Sequence, residues 1–127
     1  MIRVINKYRP SENPKIDAVT VNIMRRYSVL SNYAEIGKHG DRTECLRLYR
    51  IWLWDEIESH SSPVYREFLR MVALAKAGNV FLKCCCKPKA CHGDILRSAI
   101  EWYIAKEKSP VTKTEQVRFI SQRLEFK

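Results

Sequence analysis

Residues 2–7 (IRVINK) alternate apolar and polar side chains and are rich in β-branched residues, the pattern of a short strand. Pro10 and Pro14 punctuate the loop that follows. Residues 18–24 (AVTVNIM) form a second strand candidate, which Arg25, Arg26 and Tyr27 bring to an end. A loop containing Ser31, Asn32, Gly37 and Gly40 leads to Asp41. That residue stands three before Glu44, the spacing of a capping box. The helix it opens places Leu46, Tyr49, Leu53 and Ile57 on one face, and Cys45 and Trp52 widen that face. Trp52, Trp54 and Trp102 read as core or partial core, and Trp54, out of phase with this stripe, is also a candidate exposed contact residue. Ser62 and Pro63 start a second helix, with Phe68, Leu69, Val72 and Ala75 inward and Gly78 as its stop. Residues 80–85 (VFLKCC) are a third strand candidate. After a Lys-Pro-Lys loop, a helix begins near Cys91 to Asp94 and turns Ile95, Ala99, Trp102 and Tyr103 inward. Pro110 breaks the chain. Thr112 and Glu115 then cap a last helix bearing Val117, Ile120 and Leu124.

The element order β-β-α-α-β-α-α predicts an α/β protein. The expected architecture is a small Rossmann-like sheet of three or four strands with at least one parallel pair, flanking helices in two or three layers, and a C-terminal helix. The 127 residues suit a single domain.

Composition narrows the function class. No apolar run approaches the ~20 residues needed to span a bilayer, and the start of the chain lacks the apolar stretch of a signal peptide. The expectation is a soluble cytoplasmic protein with no membrane partner. The net charge is +9, and residues 1–50 carry 10 basic against 5 acidic side chains. Such an excess attracts polyanions, nucleic acid above all. It also serves plain solubility.

The chemistry concentrates in residues 82–96 (LKCCCKPKACHGDIL), which hold four of the five cysteines. In a strand, Cys84 and Cys86 share one face and Cys85 takes the other. The chain then turns at Pro88 and returns Cys91 and His92 at a helix start. Three roles follow. Cys84, Cys86, Cys91 and His92 have the donor types of a Cys3His zinc site, although the spacing is tighter than in paired zinc knuckles. Cys91 can be a nucleophile at a helix N-terminus, with His92 or His39 as base and Asp94 orienting it. The turn can hold an anion between helix N–H groups, Lys87, Lys89 and His92. Against these stands a purely architectural role, with Cys84 and Cys86 as small buried residues and Asp94 as a helix cap.

The segment resembles the signature L-x-C-x-C-x-P-x-x-C-H-G-D-x-L of a family of small domains of unknown function found in bacteria and their phages. Leu82, Cys84, Cys86, Pro88, Cys91, His92, Gly93, Asp94 and Leu96 all match. The resemblance runs on more loosely upstream. Val4, Ile5, Asn6 and Lys7 are similar to the V-V-N-K opening, and Arg25 follows the second strand as an arginine does in the family. Arg42, Glu44, Tyr49, Trp52 and Leu53 match an R-x-E-x-x-x-x-Y-x-x-W-L helix. Met24 stands where the family has glycine, and Ser31 to Ala34 where it has Gly-Asn-Pro-Phe. If those glycines let a ligand approach the backbone, this chain binds it differently or not at all. The resemblance spans residues 1–105 and leaves 106–127 as a helical extension.

The residues point to a protein that acts on or binds a nucleotide or nucleic acid, and the resemblance, to a family of unknown function, supports the site and the fold. Cys91, His92 and Asp94 are the candidate catalytic residues. Asn6, Arg25, Asn32, Lys87 and Lys89 are the candidate anion- or nucleotide-binding residues. Zinc is the candidate cofactor. The alternative is a non-enzymatic effector whose basic surface binds DNA, RNA or a host protein.

Overall fold

The computed structural model describes residues 1–25, 27–85 and 89–108. Strand β1 (Ile2–Asn6) leads through a short 3-10 turn at Pro10–Glu12 to β2 (Val19–Asn22). Helices α1 (Arg42–Ser59) and α2 (Pro63–Ala77) follow, then β3 (Val80–Cys84) and α3 (His92–Lys108). The sheet has the order β1-β3-β2, so the last strand lies between the first two. Both pairings are parallel: Val4 stands beside Leu82, Asn6 beside Cys84, and Val21 beside Leu82. Among the described residues the architecture is therefore mixed α/β, with a three-stranded parallel sheet and three helices.

Alternation within the strands decides which face meets the helices. Ile2 and Val4 of β1 join Val80, Leu82 and Cys84 of β3 in one buried cluster with residues of all three helices. The helices also contact one another. As the central strand, β3 is buried at four of five positions, as expected for a parallel strand with neighbours on both sides. At the edge, β2 is exposed over its first two residues.

The helix boundaries have local causes. The Asp41 carboxylate accepts the Glu44 backbone N–H at 2.9 Å, one half of the expected capping box. The other half is absent, because Glu44 turns to Arg47 instead. The Ser62 hydroxyl accepts the Tyr65 N–H, and Pro63 occupies the first helical position. Gly78 ends α2 by donating its N–H to the Leu74 carbonyl.

Of the two readings of Trp54 the core one holds, and the expected inner face of α2 is corrected. Trp54 is 6% exposed and packs edge-on against Trp102, with ring centroids 5.3 Å apart. Because α1 packs against both α2 and α3, it needs a buried face wider than one stripe. In α2, Met71 is fully buried whereas Leu69 is only half-buried, so the inward face is rotated from the expected one. The expected last helix beyond Pro110 lies outside the described residues. Helix α3 itself runs to Lys108, past the expected core boundary at residue 105. Among the described residues, no helix is long and apolar enough to cross a membrane.

Candidate functional site

The start of α3 is built by an unusual cap. Cys91 immediately precedes the helix, and its sulfur accepts the Gly93 N–H at 3.2 Å. The Asp94 carboxylate reaches back to the Cys91 N–H, also at 3.2 Å. This is the reciprocal pattern of a capping box, with a thiol in place of the hydroxyl. Asp94 thus holds the Cys91 backbone. His92 points across the sheet edge, where its Nε2 lies 2.8 Å from the Ile23 carbonyl oxygen. A carbonyl only accepts, so Nε2 carries the proton. The imidazole ring also meets the Tyr49 ring edge-on, with centroids 5.2 Å apart.

Gly93 permits this close seating. A Cβ there would lie 2.9 Å from Val4 Cγ1, 3.0 Å from Ile23 Cδ1 and 3.2 Å from the Cys91 sulfur. The helix therefore starts almost in contact with β1 and the end of β2. The carboxyl edge of the sheet, the last residues of β2 and β3, and the α3 N-terminus meet at one place.

A cavity of about 490 Å³ opens there. Its walls come from Met24 and Arg25 after β2, Asn32 and Ala34 to Ile36 in the following loop, the start of α1, and the cysteine segment. All four described cysteines, Cys45, Cys84, Cys85 and Cys91, line it together with His92. Arg25 is held from several sides. It pairs with Glu35 at 3.1 Å and donates to the carbonyls of Asn32 and Ala34. The Asn32 amide accepts the Ala34 N–H and donates to the Cys45 carbonyl, which ties the loop to α1. Arg42 donates to the Ala90 carbonyl at 2.8 Å, which anchors the cysteine segment to the start of α1. At the end of the loop Gly40 has φ of 126°, a conformation that glycine adopts without strain.

Tyr49 underlies this assembly. It is completely buried, and its hydroxyl donates to the Leu30 carbonyl at 2.6 Å. Burial pushes its phenol well above the usual tyrosine range, and the neighbouring Cys91 adds to the shift, so the hydroxyl stays a donor.

The structure thus brings together Arg25, Asn32, Cys84, Cys91 and His92 from the sequence expectations. Asn6 ends β1, where its side chain accepts the Tyr8 N–H at 2.8 Å, and it does not line the cavity. Lys89 is exposed and outside the cavity wall. His39 binds the Glu35 N–H through Nδ1 and is likewise not in the wall. Cys86, Lys87 and Pro88 lie outside the described residues. Among the described residues, no three His, Cys, Asp or Glu side chains are grouped to hold a metal ion. Arg42 is a wall residue that the sequence reading left out of the site. Its position in the R-x-E helix motif was the available signal.

The thiols differ in environment. Cys85 is exposed. Cys45 is buried, and desolvation raises its pKa, with Asp41 and Glu44 acting in the same direction. With limiting iodoacetamide near neutral pH, Cys85 should be alkylated well before Cys45, as peptide mapping by mass spectrometry will show. Equal rates at the two positions would contradict this environment.

Residues 5–102 match the family described as Domain of unknown function (DUF4326). No curated protein and no solved structure matches the chain.

Proposed function

For this chain, which belongs to the DUF4326 family of unknown function, we propose that it binds a nucleotide, free or within a nucleic acid strand, in the cavity at the carboxyl edge of the sheet. The observation that carries the reading is the placement of two guanidinium groups, Arg25 and Arg42, in one cavity with the α3 N-terminus. Parallel α/β sheets bind ligands at this edge, where the positive ends of helix dipoles gather. The volume lies within the ~300–1,000 Å³ usual for small-molecule sites. A planar guanidinium can hold a phosphate with two donors while others keep their protein acceptors. Tyr27 and Tyr33 are exposed on the loop that forms one wall and offer faces on which a base can stack. The excess of basic residues favours an anionic ligand.

Binding is better supported by these contacts than a Cys-His-Asp relay. Asp94 is engaged with the Cys91 backbone and His92 Nε2 with the Ile23 carbonyl. If chemistry does follow binding, Cys91 is the thiol in the wall that a ligand would meet, and Cys91→Ser would then abolish turnover without unfolding the chain.

The test is calorimetric titration with nucleoside mono-, di- and triphosphates and with short single strands, at low and raised salt. Binding should weaken as salt rises. Arg42→Ala or Arg25→Ala should weaken it about tenfold or more, the value of a charge-assisted hydrogen bond of ~1.5–3 kcal/mol. Circular dichroism confirms that each variant is folded. No binding at low salt to any of these ligands, or full affinity in both folded variants, would overturn the reading.

A further inference from the structure

The sulfurs of Cys84 and Cys91 lie 3.4 Å apart. One residue ends the central strand and the other caps α3, so two rigid elements fix the approach. The residues are 1% and 2% exposed overall, yet both line the cavity. Neither thiol is used in the phosphate contacts proposed above. We propose that Cys84 and Cys91 are a redox-active pair that closes to a disulfide by exchange with a small-molecule disulfide entering through the cavity.

Three features carry this beyond two neighbouring cysteines. A disulfide bond is about 2.05 Å long, so the sulfurs need approach by only about 1.4 Å, within the reach of small side-chain rotations. Cys91 caps α3 with its sulfur held against the Gly93 N–H, so the sulfur is fixed in the cavity wall facing Cys84. The cavity supplies the path by which an oxidant reaches otherwise buried sulfur. Exchange proceeds in two steps. The Cys91 sulfur attacks one sulfur of the small disulfide, whose S–S bond breaks to release the first small thiolate. Cys84 then gives up its proton and attacks the Cys91 sulfur, expelling the second small thiolate. Two electrons pass from the pair to the small disulfide. The two protons end on the two released thiols.

Closing the pair also alters the site. The Cys91 sulfur moves toward β3 and away from its place over Gly93, so oxidation acts on the α3 cap and the cavity wall together.

The test equilibrates the full chain with reduced and oxidised glutathione at graded ratios, quenches with acid, alkylates free thiols and maps tryptic peptides. Trypsin releases 84–89 and 90–97 as separate peptides, so the proposed bond joins them. The joined species should rise with the proportion of oxidised glutathione. It should fall roughly tenfold or more in Cys84→Ala and in Cys91→Ala, and persist in Cys85→Ala and Cys86→Ala. Circular dichroism verifies the fold of each variant. The proposal fails if the joined peptides form equally in Cys84→Ala, which would assign the bond to a neighbouring cysteine. It fails equally if the wild-type pair stays unlinked at every ratio. Linkage that appears only after a chelator removes bound metal would also overturn it, in favour of a metal site.

Discussion

Replacing Tyr49 by alanine is expected to lower stability by about 3–5 kcal/mol, the cost of removing a large buried aromatic side chain. For a chain of this size the melting temperature should fall by roughly 10–20 °C. Tyr49→Phe separates the two contributions. It keeps the ring against Trp52 and His92, at 5.6 and 5.2 Å, but removes the donor to the Leu30 carbonyl. Leu30 is itself fully buried. An acceptor stranded there costs about 1–3 kcal/mol. Chemical denaturation of both variants measures the difference. A Tyr49→Phe variant as stable as the wild type would show that the hydrogen bond to the loop contributes nothing. The loop between β2 and α1 forms one wall of the cavity, so Tyr49→Phe should also raise hydrogen exchange across residues 30–36.

Gly93→Ala is expected to destabilise the chain by about 1–3 kcal/mol, the usual cost of inserting a methyl group into packed space. The added Cβ would sit 2.9 Å from Val4 Cγ1 and 3.0 Å from Ile23 Cδ1. Both neighbours belong to the buried core, Val4 within β1 and Ile23 directly after β2. The Cys91 sulfur at 3.2 Å is the third contact, so the strain reaches the α3 cap. Gly93→Val should cost more. Val4→Ala in the Gly93→Ala background should recover part of the loss, because it removes the closest atom. The double-mutant cycle should give a favourable coupling. Additive losses would place the strain elsewhere.

The single feature that most shaped the site, the α3 cap, was half legible. The sequence placed a helix start at Cys91 to Asp94, and the spacing of Cys91 and Asp94 is that of a capping box. What it could not give is the donor geometry. The Cys91 sulfur receives the Gly93 N–H, and the Asp94 carboxylate faces the Cys91 N–H. Arg42 shows the same limit. Its place at the first position of α1 was readable, but its reach across 48 residues to the Ala90 carbonyl was not. For Trp54 the sequence left core and exposed contact both open, because a helix packed against two others buries more than the stripe its own periodicity defines.

By itself, the sequence determined the local elements. Strand alternation, the Asp41 and Ser62 caps, the Pro63 start and the Gly78 stop act over a few residues, where backbone propensity and side-chain hydrogen bonds suffice. It also marked the cysteine segment as the place where chemistry concentrates. Only the tertiary structure decided that β3 inserts between β1 and β2. That choice depends on burying the most apolar strand, with neighbours on both sides. The same insertion brings the end of β3 beside the ends of β1 and β2, and so sets Cys84 against Cys91, His92 against Ile23, and Arg25 and Arg42 in one cavity. These are contacts between distant segments, fixed by packing that no local pattern encodes.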